Sequence, residues 1–403
     1  MFTDTEKNKI AECYDEVLER IKKRHINCFK GHKNPVFLIS DTYPGVWLEH
    51  VYDALFFAKL DRNYLDIAKN TLNLFLDNQK PNGQLPCFVI DRNKNTSMPE
   101  YGFSQTQECV SFTRLCYEYY EISGDKEFLK KAYEGCSKWQ KWYETYRMPN
   151  KKGLVEMFCG HDTGHDGSGR KEGMLYHGRA KDNDASVYPE GDEVLPMIAP
   201  DVNAVYFGTL MALSDMAGKL GKESESEMWK TSADAVKQAL FEICFHKNDR
   251  FFYDVDKNGN KRKFLSISIT NVFSERLLDF DTMDDIYKKH LRNEDEFWTP
   301  YPFPSMAKSD PSFKQNAKGN SWGFYSQALT ILRCTRWMDY YKKSEDFEEI
   351  LEKWVRQWTF TEKLRFGQEL HPITGEPSEC SEWYSSCMLI YLYAVKRLGL
   401  TRR

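Results

Sequence analysis

Residues 160–170 read GHDTGHDGSGR, which places several proton-carrying side chains in a segment with almost no apolar residue. The segment lies in a longer polar stretch, 148–200, that is rich in acidic residues. They include Asp162, Asp166, Asp182, Asp184, Glu190, Asp192 and Glu193. Glu369 follows later, in FGQELHPITGEP. Cleavage of a glycosidic bond needs two carboxyl groups, one protonated and one ionised, but residue types alone do not choose the pair.

Three histidines, His161, His165 and His177, also lie in the polar stretch. His161 and His165 are four residues apart, but they lie in a glycine-rich stretch predicted as a loop rather than a helix, and no cysteine stands at zinc-finger spacing. We therefore expect no metal. We also expect no cofactor, because acid–base hydrolysis requires only carboxyl groups and water.

Composition narrows the class of partner. The chain has 403 residues, is 41% hydrophobic and carries a formal net charge of −4, so it can bury a large core but offers no basic surface for nucleic acid or anionic lipid. Aromatic residues make up 15% of the chain, and those on polar loops suit a sugar cleft because a ring face stacks on the C–H face of a pyranose. A small neutral substrate agrees best with this net charge and aromatic content.

The predicted cellular location of the protein rests on the lack of a signal-peptide-like or membrane-spanning segment in this sequence. The first 25 residues carry charge throughout, and no uncharged apolar run approaches the roughly 18 residues of a membrane helix. The 11 cysteines include no CxxC pair and suit reduced thiols. These features predict a cytoplasmic protein with no membrane partner, and they leave its oligomeric state open.

Apolar residues recur at three- and four-residue spacing almost everywhere, which predicts about a dozen helices. The predicted ranges are near 5–24, 46–60, 62–79, 104–123, 125–147, 201–220, 222–243, 268–278, 283–290, 322–343, 346–360 and 381–399. Many are joined in pairs by two to four residues, which forces neighbours to run antiparallel. The best strand signal is RFFYDVDKNGNKRKF near 250–264, where NG suits a hairpin turn.

Long loops separate the helix pairs and hold most of the Gly, Pro, Asp and Asn. They cover roughly 25–45, 80–103, 148–200, 291–321 and 361–380. The simplest assembly is an all-α (α/α)6 barrel, a six-hairpin toroid with its long loops on one rim. No low-complexity linker divides the chain, so we expect a single catalytic domain over residues 1–403.

Five patches of the chain resemble the catalytic domain of glycoside hydrolase family 63, and trehalase family 37 is a more distant match. TGHDGSGR at 163–170 resembles an SGMDNSPR-like segment, and APDVNAVYFGTLMALSDMA at 199–217 resembles the D-x-N-A start of the helix after it. YPFPSMAKSDPSFKQNAKGNSWG at 301–323 resembles a PSxxPDDPxF…YWRGPxW segment. FSQTQE at 103–108 resembles an SQPP-type turn, and ELHPITGEPSECSEWYSSCML resembles an E-x-Y-x-P-x-TG…FSW segment.

The resemblance implies an inverting (α/α)6-barrel glycosidase, related to enzymes that act mostly on α-linked glucosides and to mannosylglycerate and glucosylglycerate hydrolases. It implies that Asp166 is the general acid and that Glu369 is the general base. The family's glutamate usually stands four residues before the proline, a position held here by Gln368. Glu379 and Glu382 are therefore kept as alternatives for the base.

The resemblance also implies a set of sugar-binding residues. Lys318 replaces the arginine of the YWRG segment, and a lysine cannot make that residue's flat bidentate contact. The complete set is Tyr43, Trp47, Glu49, His50, Asp53, Gln105, Gln107, His165, Arg170, Lys318, Trp322 and Trp383.

The leading hypothesis is an exo-acting inverting glycosidase for a small α-linked glycoside, an α-glucoside or a related compound. Its partner would be a small oligosaccharide or glycoside. One alternative is a sugar epimerase or isomerase on the same toroid, with histidines as acid and base. Its candidate histidines are His50, His161, His165, His177 and His371. The other alternative is a catalytically inactive sugar-binding relative, because Ala317 and Lys318 depart from the family pattern and Glu369 is shifted by one.

Overall fold

The helical periodicity of the sequence folds into twelve α-helices within the described residues, 2–315, 317–362 and 365–402, of this computed structural model. The helices are α1 (Asp4–Arg24), α2 (Val51–Leu60), α3 (Leu65–Leu76), α4 (Phe112–Ser123), α5 (Lys126–Tyr146), α6 (Pro200–Lys219), α7 (Glu223–Ile243), α8 (Ile269–Ser274), α9 (Phe280–Ile286), α10 (Ala328–Cys334), α11 (Ser344–Phe360) and α12 (Ser385–Arg397). Most of the predicted ranges match these helices to within a few residues.

The even-numbered helices form a closed inner ring. Helices α2, α4, α6, α8, α10 and α12 each contact the next, and α12 returns to α2. Helix α6 is buried on all sides, whereas its outer partner α7 buries only Trp229, Ala233, Val236 and Leu240 along one face. The predicted all-α (α/α)6 barrel is confirmed. None of the described helices is long and apolar enough to cross a membrane.

The predicted helix over 104–123 was wrong in its first third. Helix α4 begins at Phe112, where the Ser111 hydroxyl caps it by accepting the N–H of Arg114 at 3.1 Å. The Glu108 carboxylate accepts the Phe112 N–H at 2.6 Å, so it too takes up a free donor of the first turn. Residues 104–111 are therefore not helical, and the side chains of Gln105 and Gln107 face the barrel mouth.

The predicted helix over 322–343 was also too long. Only Ala328–Cys334 is α-helical, because Ser326–Gln327 pairs as a strand with Glu369–Leu370. Their backbone groups are used in the ladder and cannot continue a helix.

Thirteen short strands in the described residues form five small antiparallel sheets within the long loops. The strands are β1 (Ile26–Asn27), β2 (Val36–Phe37), β3 (Gly45–Trp47), β4 (Phe88–Ile90), β5 (Tyr101–Gly102), β6 (Glu156–Met157), β7 (Met197–Ile198), β8 (Phe245–His246), β9 (Phe251–Phe252), β10 (Asp254–Val255), β11 (Lys261–Arg262), β12 (Ser326–Gln327) and β13 (Glu369–Leu370). The predicted hairpin near 250–264 is confirmed by the antiparallel pairing of β10 and β11.

A buried ion pair anchors the polar segment 160–170 to the barrel. Asp162 and Arg147 are both fully buried, and the Arg147 guanidinium donates to the Asp162 carboxylate. The other Asp162 oxygen accepts the Thr106 N–H at 2.8 Å and the Thr106 hydroxyl at 3.1 Å. Burial raises the pKa of Asp162, but Arg147 and the backbone donors outweigh it and lower that pKa. The segment is thus fixed through a carboxylate that must stay ionised.

We predict that Asp162→Asn lowers the free energy of unfolding by about 3–5 kcal/mol, because it leaves the Arg147 charge buried without its counterion. Urea denaturation at pH 7 measures this loss, with the exposed Asp182→Asn as the matched control. Because folding lowers the pKa of Asp162, its stabilisation is present above the unfolded value of about 3.9 and is lost as the pH falls through the folded pKa. The difference between wild type and variant should therefore shrink below about pH 4; an equal stability of the two proteins at pH 7 would contradict this account.

Candidate active site

A cavity of about 190 Å³ lies at the mouth of the barrel. Its walls come from segments just before α2, α4, α10 and α12, so it faces the N-terminal ends of inner helices, where backbone dipoles favour negative charge. The lining residues are Tyr43, Trp47, Glu49, His50, Phe88, Met98, Gln105, Gln107, His161, Gly164, Asp166, Arg179, Asn320, Trp322, Leu329, Gln368 and Tyr384.

A larger cavity of about 480 Å³ opens among α2, α4, α6 and the ends of α8 and α10, and it contains none of the predicted site residues. Most of its charged groups are in ion pairs. Glu118 accepts from Lys59 at 2.6 Å and from Arg336 at 3.1 Å. This cavity is therefore explained by the ion pairs that hold the barrel wall together, and we place the candidate site in the smaller one.

The smaller cavity brings together most of the site residues predicted from the sequence. Those that line it are Tyr43, Trp47, Glu49, His50, Gln105, Gln107, Asp166 and Trp322. Glu369 lies directly behind the lining residue Asn320. The lining residues do not include Asp53, His165, Arg170, Lys318 or Trp383.

Asp166 is held in the cavity wall by donors. His161 Nε2 lies 2.7 Å and Lys171 Nζ 3.6 Å from Oδ1, and Asn320 Nδ2 donates to Oδ2 at 3.0 Å. The Trp322 N–H donates to the Asp166 carbonyl oxygen at 2.7 Å, which fixes the backbone. Burial raises the pKa of Asp166, but the hydrogen bond and charge of His161, with Lys171 and Asn320, outweigh it and lower that pKa.

Glu369 is fully buried in strand β13 and does not line the cavity. Its oxygens accept the N–H of Asn320 at 2.6 Å, the N–H of Ser321 at 3.2 Å and the side-chain amide of Gln327 at 2.6 Å. Burial raises the pKa of Glu369 in spite of these donors. The neighbouring Gln368 does face the cavity.

Asn320 connects the two carboxyl groups, and the sequence interpretation did not single it out. Its backbone N–H binds Glu369 and its side-chain amide binds Asp166, while its Oδ1 accepts the Gln368 amide at 2.9 Å. Its φ of 56° lies in the left-handed region, which asparagine tolerates better than most residues. The position of an asparagine in the turn KGNSWG was the available signal.

Besides Asp166, one more carboxyl group lines the cavity, that of Glu49. Glu49 accepts the Gln107 amide at 2.8 Å, and Gln107 in turn accepts the Gln105 amide at 2.6 Å. Arg333 Nη2 lies 3.5 Å from the other Glu49 oxygen. Burial raises the pKa of Glu49, and Arg333 only partly opposes this. A side chain at Gly164, whose φ is +69°, would come within 2.8 Å of Glu49, so the close approach of the loop needs glycine.

Side chains from the segments before α2 and before α12, which are far apart in the sequence, meet in the cavity wall. The Tyr43 hydroxyl donates to Gln368 at 3.0 Å, and His50 Nε2 is hydrogen-bonded to the Tyr384 hydroxyl. Burial lowers the pKa of His50 well below its usual range, so its imidazole is neutral.

Asp53, predicted to bind sugar hydroxyls, accepts hydrogen bonds from Ser385 and Ser386 at the start of α12 instead. Burial raises the pKa of Asp53 to about 6, opposed by these two hydroxyls. In this arrangement Asp53 joins the first and last inner helices rather than facing the cavity.

His165 and Arg170 lie behind the cavity wall. His165 stacks on Trp322 with ring centroids 4.2 Å apart, and burial lowers its pKa to about 3. Arg170 makes paired hydrogen bonds of 2.8 Å to Asp201 in α6, and of 2.8 and 2.7 Å to Asp254 in β10. Arg170 thus clamps the loop that carries Asp166 to the barrel.

The remaining predicted residues lie outside the cavity. Lys318 is exposed, as are the alternative bases Glu379 and Glu382. Trp383 is half-buried with the guanidinium of Arg20 4.6 Å from its ring centroid.

The cavity also contains residues that sequence reasoning did not assign to the sugar site. His161 had been considered only for a metal or for epimerase chemistry, and Gln368 only as the place of the family's glutamate. Arg179 is exposed at the cavity and has no hydrogen bond or ion pair within the described part of the chain. No motif pointed to Arg179, Phe88, Met98, Leu329 or Tyr384.

Three comparisons with known proteins bear on this geometry. The profile of the mannosylglycerate hydrolase MGH1-like glycoside hydrolase domain matches residues 43–386. An uncharacterized protein of Borreliella burgdorferi is 23% identical over 218 residues, which are 54% of this chain and 39% of that protein. This chain therefore spans about two fifths of the length of the curated relative that it matches.

Solved structures share the fold at low identity. The GH63 mannosylglycerate hydrolase of Thermus thermophilus in complex with glucose is 15% identical with a TM-score of 0.72, covering 95% of this chain and 99% of that one. The same enzyme in complex with Tris and D-glycerate is 16% identical with a TM-score of 0.71 and the same coverage. Neutral trehalase Nth1 from Saccharomyces cerevisiae is 11% identical with a TM-score of 0.65, covering 91% of this chain and 75% of that one.

These matches confirm the predicted resemblance to family 63 and, at the level of the family, the prediction of a glycoside hydrolase. The profile match runs from Tyr43 to Ser386 and so includes every segment that lines the cavity. The chain belongs to the mannosylglycerate hydrolase MGH1-like glycoside hydrolase domain family.

Proposed function

We propose that the chain is an inverting exo-glycosidase that hydrolyses a small α-linked glycoside, with Asp166 as the general acid and Glu369 as the general base. The observation that carries this proposal is the pair of hydrogen bonds by which Asn320 links the two carboxyl groups. Carboxyl groups linked through one intervening residue are compatible with the roughly 6.5–9.5 Å separation that leaves room for a water molecule in inverting enzymes.

The size of the cavity supports a small substrate. Its volume of about 190 Å³ is below the roughly 300–1,000 Å³ of pockets that bind drug-sized ligands. One sugar unit with a small aglycone fits such a space, which favours cleavage at a chain end. Tyr43, Trp47 and Trp322 supply ring faces for the sugar, and the Gln105–Gln107–Glu49 chain supplies hydrogen-bonding groups for its hydroxyls.

To act as the general base, Glu369 must accept a proton from the attacking water. Its carboxylate is raised in pKa by burial, which makes it a stronger base than an exposed glutamate. The Asn320 N–H is bound to one Glu369 oxygen, and the Ser321 N–H and the Gln327 amide are bound to the other, so the attacking water would use the remaining lone pair of the oxygen that accepts from Asn320.

A second candidate function is sugar binding without turnover. The burial of Glu369 and the presence of the amide Gln368 on the cavity favour it, since an amide cannot accept a proton from water. The two functions are separated by whether a bound glycoside is ever hydrolysed.

We predict that Asp166→Asn lowers kcat/KM by about 10²–10⁴-fold, because the leaving oxygen is no longer protonated. The measurement is monosaccharide release from a panel of α- and β-linked disaccharides and glycosylglycerates. Asp182→Asn, which changes an exposed acid of the same polar stretch, serves as the matched control and should keep full activity. A fully active Asp166→Asn enzyme would remove Asp166 from the acid role.

We predict that Glu369→Gln lowers kcat by about 10²–10⁴-fold, because water is no longer deprotonated. Proton NMR of the first product formed by the wild type should show an inverted anomer. The matched variant is Gln368→Glu, which places a carboxyl on the neighbouring residue that faces the cavity. A fully active Glu369→Gln enzyme would remove Glu369 from the base role, and recovery of activity in the double variant Gln368→Glu/Glu369→Gln would show that a carboxyl at position 368 can act on the water. Binding without any release in every protein would favour the second candidate function.

The aglycone that we propose is acidic, as in mannosylglycerate, because Arg179 is a cation at the cavity without a counterion in the described part of the chain. We predict that Arg179→Gln raises KM by at least roughly tenfold for a glycosylglycerate, since a lost charge-assisted hydrogen bond is worth about 1.5–3 kcal/mol, or about 10- to 150-fold. KM for the matching glycosylglycerol, which lacks the carboxylate, should stay within about twofold because Arg179 has no charge to pair with there. Equal effects on the two substrates would show that Arg179 does not recognise the aglycone.

A further inference from the structure

His161 is the closest ionisable group to Asp166. The His161 Nε2 and Asp166 Oδ1 atoms are 2.7 Å apart, and both side chains line the cavity. The histidine is fixed by its backbone, because its N–H donates to the Gly178 carbonyl at 3.0 Å. The side chains of His161 and Asp166 are 32% and 40% exposed, so the pair can exchange protons with solvent.

The surroundings of Asp166 conflict with the resting state of a general acid. Such an acid must carry a proton when substrate arrives, yet His161, Lys171 and Asn320 all present donors to its oxygens. A carboxyl group surrounded by donors is ionised, and the lowered pKa of Asp166 has the same direction. The proton therefore has to be held by another group until the glycosidic oxygen is in place.

We propose, on the basis of the acid role given to Asp166 above, that His161 stores the proton that Asp166 delivers to the leaving group. The Nε2–H bond of the imidazolium breaks as an O–H bond forms on Asp166. That O–H bond then breaks as the aglycone oxygen takes the proton and the bond from C1 to this oxygen is cleaved. Water forms the new C1–O bond and gives its proton to Glu369. Solvent takes the proton from Glu369 and returns one to His161, so the reaction is balanced.

No other group that acts on Asp166 fits this task as well within the described residues. Lys171 is farther away, with its Nζ 3.6 Å from Asp166 Oδ1; burial lowers the pKa of Lys171, and the charge of Asp166 opposes this. Burial raises the pKa of Cys380 to about 12 and raises the pKa of Tyr43 further, so neither group changes its charge near neutral pH. Glu49 and Glu369 are hydrogen-bonded to other donors, and Arg179 forms no ion pair with Asp166 within the described residues.

His161 acts through Asp166 and is therefore a positioning residue, which a pH profile can test. We predict that the alkaline limb of kcat/KM moves to lower pH by about one unit or more in His161→Gln, because the proton must then stay on Asp166 itself. The matched variant is Lys171→Gln, which removes a cation that does not store the proton. Its alkaline limb should move to higher pH, since Asp166 then binds a proton more tightly.

The direction in which the alkaline limb of kcat/KM moves in His161→Gln decides whether His161 stores the proton. If His161 were only a neighbouring cation, its removal would move the limb to higher pH, as for Lys171→Gln. If it were only structural, the limb would stay in place while the plateau fell. Either result would overturn the proposal.

A glycosyl fluoride, whose leaving group needs no proton, provides the internal check. His161→Gln should lose less activity on this substrate than on a natural glycoside, and an equal loss on both would also contradict the stored proton. If instead Asp166→Asn is fully active on the natural glycoside, it is the acid role of Asp166 that fails, which separates the two proposals.

Discussion

The hydrogen bonds of Asn320 set the geometry of the whole site. Two carboxyl groups held close together in a partly buried wall repel each other unless each one has its own donors. Asn320 provides a donor to both, from its backbone to Glu369 and from its side chain to Asp166. Its backbone φ of 56° lies in the left-handed region, which asparagine tolerates better than most residues.

Behind Asn320, buried arginines neutralise the charges of other buried acidic residues. Arg147 holds Asp162, Arg170 holds Asp201 and Asp254, and Arg333 lies against Glu49. Because a planar guanidinium can bind two carboxylates at once, a few arginines fix the loops without filling the cavity. The mouth of the barrel is thereby rigid at its base, while polar groups remain available at its centre. This division explains how Arg170 supports the loop although it does not face the cavity.

The helices could be predicted from the sequence because a spacing of three and four apolar residues has one structural interpretation. The orientation of polar side chains could not. Asp166 and Arg170 lie in one polar segment, yet the first faces the cavity and the second faces the core, and residue type does not distinguish them.

The most consequential ambiguity concerns Gln368 and Glu369. Successive side chains of an extended chain point to opposite sides. A shift of one residue would therefore exchange the side chain that faces the cavity, Gln368, for the one that is buried on the other side, Glu369. Asn320 was missed for a related reason: its importance comes from partners 49 and 154 residues away in the chain, which no local pattern records.

The contacts of Tyr43 with Gln368 and of His50 with Tyr384 join residues separated by 325 and 334 positions. Closing a loop of that length has a large entropic cost, which only the completed ring repays. Without α12 the inner ring would stay open between α10 and α2, and Asp53 would lose the hydroxyls of Ser385 and Ser386. Occupancy of the pocket then reports on assembly of the entire toroid, and a tightly held ligand would protect both termini of the barrel from proteases as one cooperative unit.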